Sequence, residues 1–200
     1  MEHFSEHKLI TSLNSMLAEE DILILKVSKV DDTYNIKDTY ERTYIYKVIQ
    51  HEHIIPLLKN RYWFIHPSLK IDIDKIKESV QYFKGIHNFT AFSSISKGNI
   101  NKNPIREMLE IEFNEFNASD HLNHVKQIKE YQFKIRGSSF MYHQIRIMMG
   151  FLMKVGTGKF KPEEAKFLLE SCERHLRINS SMAPPEGLYL TDVKDEFRDF

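Results

Sequence analysis

One arginine constrains this chain more tightly than its composition does. In the stretch 137–158, GSSFMYHQIRIMMGFLMKVGTG, apolar residues recur at helical spacing, and Tyr142, Arg146, Met149, Gly150 and Met153 fall on one face. The periodicity predicts a helix over residues 140–155 with Arg146 inside its apolar stripe. A guanidinium buried without a partner costs several kcal/mol, so two readings stand. Either Arg146 meets a carboxylate or phosphate and the helix carries a site, or its stem lies along apolar surface and its head group reaches water. The spacing is compatible with both.

The charge around this arginine is uneven. Between residues 126 and 161 eight Lys or Arg stand against a single acid, Glu130, a local charge of +7 that suits a polyanion. Over the whole chain 28 basic and 28 acidic residues cancel, which excludes a global polyelectrolyte character. A hydrophobic content of 42% over 200 residues can bury one core, or one core with a partial second.

Other features narrow the chemistry. The single cysteine, Cys172, excludes an internal disulfide, suits a reducing compartment and is read as a passive member of a C-terminal helix. The longest apolar run, near residues 147–153, is far shorter than the roughly twenty residues of a membrane span, so a soluble protein with no membrane partner is expected. His51 with His53 and His121 with His124 lack a third ligand at convincing spacing, and no metal site is expected. Gly156 and Gly158 resemble half a phosphate-binding loop, but no Lys-Ser or Lys-Thr follows, and they are read as a helix terminus. No Ser, His, Asp grouping sits in a nucleophile-elbow context. The opening residues MEHFSEHKL resemble neither a signal peptide nor a transit peptide.

Along the chain, residues 9–17 read as a short amphipathic helix, 22–27 as an apolar strand, and 28–41 as a polar connector at a domain boundary. Residues 43–49 alternate as a strand that points Tyr44 and Tyr46 the same way. A helix over 72–84 stops at Gly85, and an aromatic turn with Phe89 and Phe92 leads into a polar loop, 96–103. Strands are expected at 108–116 and 131–136 as an antiparallel pair, then the arginine helix, a helix over 162–174, and a last strand at 188–193. No βαβ repeat is present, so the fold class is α+β, an antiparallel sheet with helices on one face.

Four blocks carry a resemblance: RTYIYKV at 42–48, FKGIHNFTAFSS at 83–94, FMYHQIRIMMGFLMKVGTGK at 140–159 and APPEGLYLTDV at 183–193. In order and separation they are similar to the tRNA pseudouridine synthases of the TruA type, more narrowly to their animal synthase-like branch. The match begins faintly at LNSMLAEEDI, residues 13–22, and covers most of the chain. It implies the C-terminal half of a pseudouridine synthase fold over residues 38–200, with residues 1–37 as what remains of the N-terminal catalytic half.

The resemblance also implies a reaction: isomerisation of uridine to pseudouridine in tRNA, without a cofactor. It implies a partner for Arg146, an aspartate in the family's GRTD.GVHA motif, which this sequence does not contain. Asp21, Asp31 and Asp32 lack the motif's context. About seventy to eighty family residues are expected ahead of Met1, judged from domain dimensions, so this chain is expected to be a fragment that is inactive by itself. Tyr44 matches the family's active-site tyrosine, or else is a core strand aromatic. Leu188 and Tyr189 match its third pocket segment, or else serve core packing. Lys134, Arg136, Lys154 and Lys159 would follow the RNA backbone. Two departures stand out: Ile36 replaces the arginine of the family's F-H-A-R, with Lys37 beside it, and Ile145 replaces the usual valine. The family further suggests tRNA or another structured RNA as partner, a homodimer as in bacterial relatives, and either the mitochondrial matrix or the cytoplasm and nucleus. A noncatalytic RNA-binding module and an inactive remnant are the alternatives.

Overall fold

The computed structural model describes residues 5–35, 39–94, 103–117, 128–173 and 182–195, and it separates into two units, Met1–Asp38 and Thr39–Phe200. In the first unit, helix α1 (Glu6–Met16) is capped by Ser5, whose side chain accepts from the Lys8 amide. The expected strand at 22–27 does not form among the described residues. A strand needs a ladder partner for its amides and carbonyls, and here Ile24 is bonded instead by the Asn14 side chain, which donates to its carbonyl at 2.9 Å and accepts from its amide at 2.7 Å. Ile22, Leu23 and Leu25 are exposed.

The second unit is built on six strands: β1 (Thr39–Gln50), β2 (Trp63–Ile65), β3 (Gly85–Asn88), β4 (Ile105–Asn117), β5 (Lys129–Gly137) and β6 (Leu188–Asp195). Their order is β2-β1-β5-β4-β3. β5 runs antiparallel along one edge of β1, and the other edge is shared, with β6 antiparallel on residues 39–46 and β2 parallel on residues 48–50. Among the described residues the β1–β2 pair alone is parallel, a departure from the expected antiparallel pattern. β3 lies inside the segment expected as an aromatic turn. It pairs with β4, and the turn proper is the short helical Thr90–Phe92 that follows, with Phe89 and Phe92 fully buried.

Helices α2 (Ile73–Gln81), α3 (Gln144–Gly156) and α4 (Glu164–Ser171) complete the core. Tyr46, Val48, Phe113, Phe133 and Ile135 of the sheet share one buried cluster with Ile76 and Val80 of α2 and Ile147, Phe151 and Leu152 of α3. A bulge in β4 between Met108 and Glu110 resets the two-residue alternation, so that Met108 and Ile111 are both buried. α3 ends as the glycines suggested: Thr157 caps it and Gly158 takes φ 75°, a left-handed geometry a side chain would resist. α4 is shorter than expected, because Cys172 turns left-handed at φ 55° and closes it rather than lying within it. No helix among the described residues is long and apolar enough to cross a membrane.

Candidate active site

The site forms where the start of α3 meets the Tyr44 end of β1. α3 begins at Gln144, four residues later than its periodicity indicated, so Tyr142 and His143 stand before the helix and Tyr142 does not share its face. His143 turns the chain with φ 61°. The buried Gln144 side chain then accepts from the Met141 amide at 2.7 Å, tying the loop to the first turn.

A cleft of about 140 Å³ opens there, lined by Tyr44, Phe140, Met141, His143, Gln144, Ile145, Arg146 and Leu188. Three of the residues singled out in the sequence, Tyr44, Arg146 and Leu188, therefore converge on one small volume. Tyr44 is held edge-on by Phe140, with ring centroids 5.2 Å apart. Its hydroxyl has no partner among the described residues. Leu188 packs against the main core and closes the cleft wall.

Arg146 is half-buried and, among the described residues, held from one side. Its Nε donates to the Ala183 carbonyl at 2.8 Å, and the Ala183 amide donates to the Arg146 carbonyl at 2.9 Å. The terminal guanidinium nitrogens make no hydrogen bond among the described residues, and no carboxylate pairs with them. Next to Ala183, the Pro184 carbonyl accepts from the Tyr46 hydroxyl at 2.6 Å, and burial foremost pushes that phenol far above its ordinary pKa. Gly187 is required at this junction, because a Cβ there would lie 2.6 Å from the Lys47 carbonyl oxygen and 2.9 Å from the Tyr46 ring. Burial, and secondarily the Arg146 charge, hold His143 below its ordinary pKa of 6.5. That favours the neutral ring near pH 7.

Other expected site residues lie elsewhere. β6 turns Tyr189 to the opposite side of the sheet, where its hydroxyl donates to the Arg61 carbonyl at 2.7 Å and Lys47 lies 5.2 Å from its ring centroid. The +7 window does not make a single basic face. Lys134 and Arg136 both bond Glu110, at 3.1 and 3.0 Å, and Arg136 also bonds Glu41 at 3.0 Å. Those acids belong to β4 and β1, outside the window. Lys154 and Lys159 sit at the far end of α3, Lys154 with its ammonium 5.8 Å from the Phe160 ring centroid and Lys159 exposed. Ile36, Lys37, His121, His124 and Lys126 lie outside the described residues. Among the described residues no three His, Cys, Asp or Glu side chains come together as a metal site would need.

Phe140, Met141, His143 and Gln144 were not singled out in the sequence. Their signal is adjacency to Arg146 in one block, masked because the helical periodicity runs four residues ahead of the helix itself.

A profile described as tRNA pseudouridine synthase matches residues 80–194. Among curated relatives, tRNA pseudouridine synthase-like 1 of Xenopus laevis is 31% identical over 196 residues, covering 96% of this chain and 65% of that protein. tRNA pseudouridine synthase A of Bacillus pumilus is 33% identical over 183 residues, covering 91% and 67%. The corresponding enzyme of Ehrlichia chaffeensis is 31% identical over 183 residues, covering 91% and 68%. The chain thus spans about two thirds of the length of these relatives. With the profile matching more than half of the chain and the relatives aligned along nearly all of it, the chain belongs to the TruA family of tRNA pseudouridine synthases.

Proposed function

We propose that this chain carries the base-holding part of an enzyme that isomerises uridine to pseudouridine in tRNA. The observation that carries the reading is the meeting of Tyr44, Arg146 and Leu188, from β1, α3 and β6, around a single cleft. Its volume is small beside the roughly 300–1,000 Å³ of pockets for drug-sized ligands, which suits one pyrimidine ring with its ribose at the open mouth. A base must leave its stack to enter, at a cost of a few kcal/mol, and an aromatic ring against it returns about 1–3 kcal/mol. Tyr44, braced by Phe140, is the ring placed to do so.

The isomerisation breaks the bond from C1′ to N1, rotates the uracil and joins C5 to C1′, with a proton leaving C5 and one reaching N1. Arg146 contributes by charge and geometry. Anchored through Nε on Ala183, it presents its remaining nitrogens to an anion, and a carboxylate placed there is held ionised. The aspartate of the family motif, which these 200 residues do not contain, is the group that fits. A noncatalytic RNA-binding role is the second reading, favoured by the same observation that no described carboxylate meets Arg146.

Tritium release from tRNA labelled at uridine C5 tests this. The chain alone is expected to release none. Supplemented with the N-terminal third of the Bacillus pumilus relative, it is expected to release tritium, and R146A or Y44A in this chain should abolish the gain. Binding of tRNA without release under either condition, and indifferent to both substitutions, would leave the binding-module reading.

A further inference from the structure

We infer that Tyr142 and His143 form a platform for a second nucleobase, a neighbour of the target uridine in single-stranded RNA; the inference rests on reading the adjacent cleft as a uridine site. Side chains at successive positions ordinarily point apart in a helix or a strand. Here the two rings are stacked, with centroids 3.7 Å apart and planes at 28°. The left-handed backbone of His143, φ 61°, stands at the junction between the two residues. A histidine in that conformation carries a cost that must be offset elsewhere in the structure, and such positions cluster at ligand sites.

The platform is held at its base and open at its top. The Ser94 amide donates to the Tyr142 carbonyl at 3.1 Å, and the Ser94 hydroxyl lies 3.2 Å from His143 Nδ1. Both bonds reach one residue of the turn after Phe92, which is itself anchored in the core. Tyr142, in contrast, is 45% exposed, and its hydroxyl and remaining ring face make no contact with another aromatic, cation or hydrogen-bond partner among the described residues. His143 lines the cleft that holds Tyr44 and Arg146, so the stack continues the cleft wall outward. A flat, exposed, pre-ordered ring beside a one-base cleft suits a nucleobase, because stacking tolerates any base and an ordered ring loses little freedom on binding.

The test uses the full chain and a short oligouridine carrying one 2-aminopurine, whose fluorescence falls when it stacks. Wild type is expected to bind and quench the probe. Y142A should weaken binding by about fivefold or more and lose the quenching, Y142F should stay within about twofold of wild type, and H143G, which keeps the left-handed turn but removes the supporting ring, should fall between them. Y142L, bulky but not flat, should behave as Y142A, and serves in its place if the alanine variant melts early. Y142A or Y142L that bind and quench as wild type overturn the platform. If Y44A and R146A weaken binding while the Tyr142 variants do not, the cleft reading survives and only the platform falls. A wild-type chain that does not bind the probe overturns both.

Discussion

Arg146 and Tyr46 clasp the same short segment from below, one bonding the Ala183 carbonyl and the other the Pro184 carbonyl. The position of Leu188 in the cleft depends on that clasp, since Gly187 follows at a contact too tight for any side chain. Y46F removes a single buried hydrogen bond and should cost about 1 kcal/mol, read as a fall in Tm of about 2–4 °C for a chain of this size. G187A must displace either the β1 backbone or the Tyr46 ring, and should cost about 1–3 kcal/mol, as overpacking does. A Tm unchanged in G187A would show that this junction yields more easily than its distances imply. At this scale the sequence was legible where a residue's own chemistry set its place: Tyr44, Arg146 and Leu188 reached one cleft. Tyr189 was not, because the next residue along a strand faces the other way, and which of Leu188 and Tyr189 faces the helices depends on β6 register.

Strands carry the electrostatics of this fold. On the face of the sheet away from the helices, Glu110 of β4 takes bonds from Arg136 and then Lys134 of β5, and these hold its carboxyl below the ordinary value of 4.5. A carboxylate lowered on folding contributes stability that is complete above its unfolded pKa and is lost as pH falls through the folded one. Glu110 should therefore add to stability at pH 7 and lose that contribution as the pH falls below 4.5 and through its lowered folded value. Because both cations are partly exposed, solvent screening limits the effect to roughly 1 kcal/mol. Thermal melts of wild type and E110Q should differ by a few degrees at pH 7 and draw together as the pH is lowered well below 4.5; a constant gap across that range would place the effect in packing. The charge count along the chain places Lys134 and Arg136 in a window suited to a polyanion. Cross-strand neighbours, invisible to a window on one strand, supply their acids.

Across the whole unit, β6 returns to pair with β1, a strand that began more than a hundred residues earlier in the chain. Ending the chain at Met182 would strip the β6-facing edge of β1 over residues 39–46, leaving β5 on the other edge, and remove the carbonyls that hold Arg146 and Tyr46. The truncated chain is expected to melt well below wild type, to expose the β1 edge to aggregation, and to lose binding of the oligouridine probe. A melt matching wild type would show that the sheet does not depend on its last strand. Local features were written in the residues themselves: the 3.6-residue and two-residue periodicities that make α2, α3 and β5, the glycines that end α3, and the residue types of the cleft. The tertiary structure alone decided the parallel seating of β2 on β1, the phase reset at the β4 bulge, the side that Tyr189 faces, the acids that neutralise Lys134 and Arg136, and the left-handed turn at His143 that starts α3 late. Each of these depends on partners distant in the chain, and periodicity records only the neighbours a residue has along its own element.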